Sequence, residues 1–240
     1  CLDFAGKLFL DPGDVVLCES PSYLGALNAF NAYQPKFVEV PTDNGGLIPE
    51  ELDKILETTP NCKFIYVIPD FQNPTGRTWS MERRQKFMEV VNKHNLPVLE
   101  DNPYGELRYE GTILPSLKSM DTKGLVMFLG TFSKIFCPGL RLGWIAAEHS
   151  LLSEFVKIKQ SADLHTSNFD QGVADAYMEQ YDLDEHVKEI VALYKHRRDL
   201  ILESMEKYFP AGTEWTHPEG GLFLWLTFPE GVSARKVFNK

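Results

Sequence analysis

Short apolar runs that alternate with helical patterns restrict the fold of this chain more than any other feature. Runs rich in β-branched and aromatic residues predict buried strands at 15–17, 37–40, 64–68, 98–100, 125–129 and 144–147. Amphipathic patterns predict helices at 21–32, 49–57 and 80–95, with Ser80 as the N-cap of the third. This alternation predicts an α/β fold with a mostly parallel sheet and flanking helices.

The pattern changes after Glu148, where helical periodicity occupies 151–162 and 170–209 before an apolar run at 220–226 that predicts a strand. We therefore expect a large domain over 1–175 and the start of a smaller α+β domain over 176–240. The chain begins without Met, in the amphipathic helical pattern CLDFAGKLFL, and ends inside another helical pattern. We expect it to be part of a longer protein.

Composition excludes several classes of function. The formal net charge of −10 argues against nonspecific nucleic-acid binding. No apolar run approaches the roughly 18 residues that a membrane span needs. The four cysteines form no CxxC pair, which argues against a disulfide scaffold or a zinc site and favours a reducing, cytoplasmic location.

Polar residues follow three of the predicted strands, where an open α/β sheet binds its ligands. FIYVIP is followed by DFQNPTG at 70–76, PVLE by DNPY at 101–104, and LVMFLG by TFSK at 131–134. Singly, each residue is more simply a turn, cap or surface residue, but together they predict a site. The candidates, with one from the next loop, are Asn73, Asp101, Tyr104, Thr131, Ser133, Lys134 and Arg141.

These side chains are the groups that a phosphorylated pyridine aldehyde needs. A lysine amine in an apolar pocket, such as Lys134, can condense with an aldehyde to form a Schiff base. Asp101 can keep a pyridine nitrogen protonated, so that the ring accepts electrons, while Tyr104 and Asn73 can hydrogen-bond a ring oxygen. The remaining hydroxyls and the guanidinium of Arg141 suit a phosphate dianion.

The motifs DFQNPTGRT, EDNPYGELRYEG and GTFSKIFCPGLRLGW, in that order, resemble those of the class I/II aminotransferases, which have the aspartate aminotransferase fold and use pyridoxal phosphate. They are most similar to the 2-aminoadipate and kynurenine-type branch, which also includes the aminotransferase-like domains of certain bacterial regulators. The similarity runs from Asp3 to about Pro229. It implies fold type I and pyridoxal 5'-phosphate as the cofactor.

The resemblance also implies a role for each residue. Lys134 would form the Schiff base and move the substrate proton, with Asp101 and Tyr104 as the other catalytic residues. Tyr23, in SPSYLG, matches the aromatic residue that stacks on the pyridine ring. The implied cofactor-binding set is Tyr23, Asn73, Asp101, Tyr104, Thr131, Ser133, Lys134 and Arg141.

Parts of the family pattern fall outside the chain. The phosphate-binding stretch would precede Cys1, and the arginine for the substrate carboxylate would follow Lys240. The resemblance therefore covers the main cofactor contacts but only part of the substrate site.

The predicted function is transfer of an amino group from an amino acid to a 2-oxo acid, with 2-oxoglutarate as the expected acceptor, by a homodimer. A G-x-G-x-x-G dehydrogenase motif, a G-x-S-x-G hydrolase motif and an H-E-x-x-H metal motif are all absent. Two alternatives stay open, because they use the same cofactor contacts. One is the cofactor-binding effector domain of a transcription regulator, which binds DNA through a separate domain. The other is a fold type I lyase or decarboxylase.

Overall fold

The computed structural model describes residues 1–239 as an α/β structure. The strands are β1 (Val15–Glu19), β2 (Lys36–Val40), β3 (Thr42–Asp43), β4 (Gly46–Leu47), β5 (Cys62–Val67), β6 (Val98–Asp101), β7 (Val126–Thr131), β8 (Gly143–Ala146), β9 (Glu214–Trp215) and β10 (Leu226–Thr227). The helices are α1 (Leu2–Phe9), α2 (Leu24–Asn31), α3 (Pro49–Thr58), α4 (Met81–His94), α5 (His149–Asp163), α6 (Asn168–Gln180), α7 (Leu183–Tyr208) and α8 (Ala234–Phe238). Short 3-10 turns lie at Lys118–Met120 and Pro138–Leu140.

A six-stranded sheet in the order β2-β1-β5-β6-β7-β8 forms the centre of the structure. Its first five strands are parallel, and β8 is antiparallel to β7. Each of the six strands predicted before residue 148 is present, so the predicted mostly parallel sheet is confirmed. Strand β1 lies between β2 and β5 in the sheet, because the connection that contains α3 carries the chain from β2 past β1 to β5.

Two apolar clusters cover opposite faces of the sheet, because successive strand residues point to opposite sides. One cluster joins Leu17, Ile65 and Val98 to residues of α3 and α4. The other joins Phe64 and Leu99 to residues of α1, α2 and α5. This second face is the one on which the candidate carboxylate Asp101 lies, two residues after Leu99 on the same strand.

Local signals explain where several helices begin and end. The Ser80 hydroxyl accepts a hydrogen bond from the backbone of Arg83, which confirms the predicted N-cap of α4, and Asn95 ends that helix in the left-handed conformation. The helical region 170–209 contains two helices, since the Asp182 side chain caps α7 anew. The peptide bonds Ser20–Pro21 and Asn73–Pro74 are cis.

The predicted strand at 220–226 is wrong for most of its length, because only Leu226–Thr227 pairs as a strand, with Glu214–Trp215. Gly220 and Gly221 instead pack against the ring of Phe71, where a Cβ atom at either glycine would collide. The backbone N–H of Gly221 donates to Leu107 O at 2.9 Å, so this segment bonds to a loop rather than to a sheet.

The division into domains at 175 and 176 stays a prediction. The boundary falls inside α6. Within residues 1–239, no helix combines the length and apolar character that crossing a bilayer requires.

Candidate active site

Three loops that carry the candidate residues leave the same edge of the sheet. They follow β5, β6 and β7, which are adjacent and parallel. Asp101 lies opposite Leu129 in the register of β6 and β7, and the N–H of Asn102 donates to Leu129 O at 2.9 Å. Thr131 therefore ends the neighbouring strand two residues beyond the level of Asp101. Lys134 follows three residues later, in the turn after that strand.

Asp101 is held by a buried tyrosine that sequence reasoning did not single out. The hydroxyl of Tyr66, which is fully buried on β5, donates to Asp101 Oδ2 at 2.7 Å. Burial raises the pKa of the Asp101 carboxyl to about 6, and the Tyr66 hydrogen bond opposes this rise. Among residues 1–239, only Tyr66 makes a side-chain hydrogen bond to this carboxylate, so Oδ1 is available to a further donor.

Tyr104 is a buried phenol at this edge of the sheet. It is 4% exposed, and burial raises the pKa of its hydroxyl to about 12, while the Asn73 amide lowers that pKa. The Tyr23 hydroxyl adds to the rise. The Tyr104 ring packs edge-on against Phe223, with ring centroids 5.6 Å apart. The predicted ring-oxygen ligand Tyr104 is therefore held by an aromatic neighbour, and its pKa responds to both Asn73 and Tyr23.

Tyr23 occupies the N-cap position of α2 and is half-buried. Its ring folds back over Gly25, where a Cβ atom would collide with the ring. Glycine at position 25 thus permits this orientation of the aromatic ring, which packs against the apolar cluster that includes Phe64.

Thr131, Ser133 and Lys134 lie at the end of β7 and in the turn that follows. The Thr131 hydroxyl donates to Leu142 O at 3.1 Å, lies within hydrogen-bond distance of Ser133 Oγ at 3.0 Å, and accepts from the N–H of Ser133. The two predicted phosphate hydroxyls are therefore adjacent. Lys134 is half-buried, and within the described part of the chain its amine has neither a hydrogen bond nor an ion pair.

Arg141 lies at the other end of the same hairpin, directly after the 3-10 turn Pro138–Leu140. It adopts a left-handed backbone conformation, with φ of 55°, and is exposed. Its Nη1 donates to Pro138 O at 3.0 Å. Among the described residues its guanidinium makes no hydrogen bond to Thr131 or Ser133, the other two predicted phosphate-binding residues. The role of Arg141 in binding phosphate stays a prediction.

Two further buried polar residues, Glu19 and Gln72, lie beside the site. Glu19, at the end of β1, accepts from the indole of Trp79 at 3.2 Å and from the N–H of Ile68 at 3.1 Å. Burial raises the pKa of its carboxyl to about 7. The only sequence signal for Gln72 is its position directly before Asn73, and for Glu19 its position after a buried strand.

Comparison with known proteins identifies the family. Residues 1–239 match the model of aminotransferase class I and II. The chain belongs to this family. The aromatic-amino-acid aminotransferase 1 of Thermococcus litoralis is 44% identical over 100% of this chain and 58% of its own length.

Solved aminotransferase structures have the same fold. The Pyrococcus horikoshii kynurenine aminotransferase, solved in complex with PMP, has a TM-score of 0.95, with 42% identity over 99% of this chain and 60% of its own. The alpha-aminoadipate aminotransferase LysN of Thermus thermophilus, complexed with N-(5'-phosphopyridoxyl)-L-leucine, has a TM-score of 0.94, with 35% identity over 99% of this chain and 61% of its own. These neighbours confirm the fold type and the predicted branch. The chain spans about three fifths of the relatives that it matches.

The family and the phosphopyridoxyl groups of its solved members indicate pyridoxal phosphate as the cofactor. The donor set fits that molecule. Asp101 has an oxygen free for the pyridine N–H, and Lys134 has an amine without a partner among residues 1–239. The Asn73 amide and the buried Tyr104 phenol can hydrogen-bond the ring oxygen, and two adjacent hydroxyls suit the phosphate.

Proposed function

We propose that this chain contains the cofactor-binding part of a pyridoxal-phosphate-dependent aminotransferase. The observation that carries the proposal is the position of Asp101 and Lys134 at one edge of the sheet, with Asp101 at the end of β6 and Lys134 three residues after the adjacent strand β7. The buried Asp101 carboxylate accepts a hydrogen bond from Tyr66 at 2.7 Å, and the Lys134 amine has no partner among residues 1–239. The predicted division into residues 1–175 and 176–240 would assign this pair to the large domain.

Each residue of the site has a proposed task. When bound, pyridoxal phosphate supplies an electron sink for the charge that develops at the substrate Cα. Asp101 would bind the ring nitrogen and keep its proton in place. Lys134 would hold the cofactor covalently and then, as a free amine, remove the proton from Cα and return one during the reaction.

The other residues would orient the cofactor. Asn73 and Tyr104 would bind its ring oxygen, and Tyr23 would cover one face of the ring. Thr131 and Ser133 would bind the phosphate with Arg141, whose guanidinium would have to leave Pro138 O to do so.

The substrates are proposed from the names of the relatives. Those names describe aminotransferases acting on aromatic amino acids, 2-aminoadipate or kynurenine. We propose an amino donor with a long or aromatic side chain and 2-oxoglutarate as the acceptor. The site would be completed by chain segments outside these residues and by a second copy in a homodimer. The cytoplasmic location stays a prediction.

Absorbance spectroscopy of the full-length protein tests this proposal. The purified protein should show a visible band of covalently bound cofactor, and an aromatic amino acid or 2-aminoadipate should convert it to the amine form, with 2-oxoglutarate restoring it. Lys134→Ala should abolish the band. Lys157→Ala should keep it, because Lys157 is exposed on α5 and pairs only with Glu154, at 2.6 Å.

Three outcomes would contradict parts of the proposal. A Lys134→Ala protein that keeps the band would refute the assignment of the amine. A band that no amino acid converts would favour the effector domain of a regulator. Conversion of an amino acid without recovery by any 2-oxo acid would favour a lyase or a decarboxylase.

A further inference from the structure

Gln72 is a buried amide that joins two loops of the candidate site. It is 2% exposed. Its Nε2 donates to Pro21 O at 2.7 Å. Its Oε1 accepts from the N–H of Thr75 at 2.9 Å and from the Thr75 hydroxyl at 2.6 Å.

These three bonds use both acceptor positions of the amide oxygen and one of the two N–H donors of the amide nitrogen. They also fix the orientation of the amide, because the acceptor Pro21 O lies on the nitrogen side and the donors of Thr75 lie on the oxygen side. A buried polar group that is hydrogen-bonded on both sides in this way holds its partners in one arrangement.

The two loops that Gln72 joins carry different contacts to the cofactor. The first loop, residues 20–23, follows β1 and ends at Tyr23. The second, residues 70–76, follows β5 and contains Asn73. Gln72 directly precedes Asn73, and its partner Pro21 lies two residues before Tyr23, so this hydrogen bond joins the backbone segments that carry both side chains. The separation of the two loops therefore sets the space between an aromatic face and an amide.

We propose that Gln72 is a positioning residue that fixes the spacing of Tyr23 and Asn73, and with it the slot that receives the planar pyridine ring. The inference rests on the proposed function, since it takes that ring to be the ligand. Gln72 itself touches neither the ring nor the substrate. It acts through Pro21 in one loop and through Thr75 in the other.

Three variants test this role. Gln72→Leu removes all three bonds at similar volume. Gln72→Glu keeps the acceptors for Thr75 but removes the N–H donor to Pro21 O. Thr78→Val is the matched control, because the Thr78 hydroxyl accepts from the N–H of Phe71 at 3.2 Å within the second loop alone.

Hydrogen–deuterium exchange of the cofactor-free, full-length protein measures the link directly. Gln72→Leu should speed exchange in peptides covering both 20–27 and 70–78. Gln72→Glu should speed it mainly in 20–27, and Thr78→Val only in 70–78. Unchanged exchange of 20–27 in both Gln72 variants would overturn the proposal whether or not the protein is an aminotransferase.

Cofactor affinity and the pH midpoint of the visible band supply the second readout. Misplacing a group by about 1 Å can lower the rate of an enzymatic reaction by up to about 100-fold. We expect a loss of similar size in cofactor affinity, so the dissociation constant of pyridoxal phosphate should rise roughly 10- to 100-fold in Gln72→Leu. Thr78→Val, compared at equal loss of melting temperature, should bind as the wild type does. If Gln72→Leu does not fold, Gln72→Glu supplies both measurements. Wild-type affinity and midpoint in a folded Gln72 variant would refute the positioning role, whereas a wild-type protein without any band would refute the proposed function instead.

Discussion

Removing one hydroxyl, in Tyr66→Phe, should change the charge of Asp101 without altering the packing of the sheet. Tyr66 is fully buried, and its ring packs edge-on against Phe30 at 5.7 Å between centroids. Phenylalanine keeps that ring and removes only the donor to Asp101 Oδ2. The carboxylate then keeps the desolvation that raises its pKa but loses the hydrogen bond that lowers it.

The size of the effect follows from the difference between charged and neutral hydrogen bonds. Bonds to charged groups contribute about 1.5–3 kcal/mol and neutral ones about 0.5–1.5 kcal/mol, so the ionised carboxylate loses about 1–1.5 kcal/mol more than the protonated one. One pKa unit corresponds to ~1.36 kcal/mol, so the pKa of Asp101 should rise from about 6 to about 7.

The sign of the pH dependence follows from the same pKa. The folded-state pKa of Asp101, about 6, exceeds its usual 3.8. The fold therefore favours the protonated carboxyl, and this contribution to stability is present at low pH and lost as the pH rises through the folded pKa. Tyr66→Phe should lower the free energy of unfolding by about 1 kcal/mol below about pH 4 and by about 2 kcal/mol above about pH 8.

Carbon-13 NMR of labelled aspartate carboxyls in the cofactor-free protein would measure the pKa, with Asp101→Asn to assign the signal. Urea unfolding across the pH range would measure the stability. Tyr33→Phe is the matched control, because the Tyr33 hydroxyl donates to Asp3 at 2.7 Å on the surface. Its effect on Asp101 should be nil. A Tyr66→Phe protein with an unshifted Asp101 pKa and a pH-independent loss of stability would show that the hydroxyl does not set the charge of this carboxylate.

Two other buried polar groups give predictions about stability. Burial raises the pKa of Glu19 from 4.5 to about 7, so the protonated form that the fold favours is lost as the pH rises. Glu19→Gln should therefore flatten the fall in the free energy of unfolding, measured in urea, between about pH 5 and pH 8. A slope equal to that of the wild type would contradict this. Arg84 is fully buried, and its Nη2 lies 2.7 Å from Asp70 Oδ1, so Arg84→Met should lower the free energy of unfolding by about 3–5 kcal/mol by leaving the buried Asp70 carboxylate with only the longer contact to Arg108, at 3.7 Å, among the described residues. Adding Asp70→Asn should recover part of that loss, and a double variant no more stable than the single one would contradict the argument.

The sheet could be predicted because its signals are local. Each buried parallel strand is a short apolar run, and each connecting helix has its own periodicity and caps, so no distant contact is needed to assign them. The run at 220–226 has the same local signal but a different outcome. Gly220 and Gly221 approach Phe71 closely, the N–H of Gly221 donates to Leu107 O, and the N–H of Trp225 donates to the Thr216 hydroxyl. A strand needs an unpaired neighbour at the right edge, and an apolar run does not specify one.

The carboxyl-edge residues could be predicted for a related reason. Parallel strands all end at one edge, so polar residues that follow strands adjacent in the sheet come close together, and β5, β6 and β7 are adjacent both in the chain and in the sheet. That argument applies to Asn73, Asp101 and Thr131 alike. It locates the residues of the site but not the direction of a long side chain, and Arg141 illustrates this, since its guanidinium lies on Pro138 O.

Whether the residues that support the site could be predicted from sequence depends on the order of the strands that carry them. Tyr66 and Asp101 are 35 residues apart, but β5 and β6 are consecutive in both chain and sheet apart from the crossover helix. Tyr66 pairs with Leu99, two residues before Asp101 on the same face, so a buried tyrosine that needs a partner could have been matched to that carboxylate from sequence. Gln72 and Pro21 are 51 residues apart and meet only because β1 lies between β2 and β5 in the sheet, which brings the loop after β1 beside the loop after β5. Local patterns do not contain that adjacency, so a positioning residue that depends on it becomes visible only once the order of the strands is known.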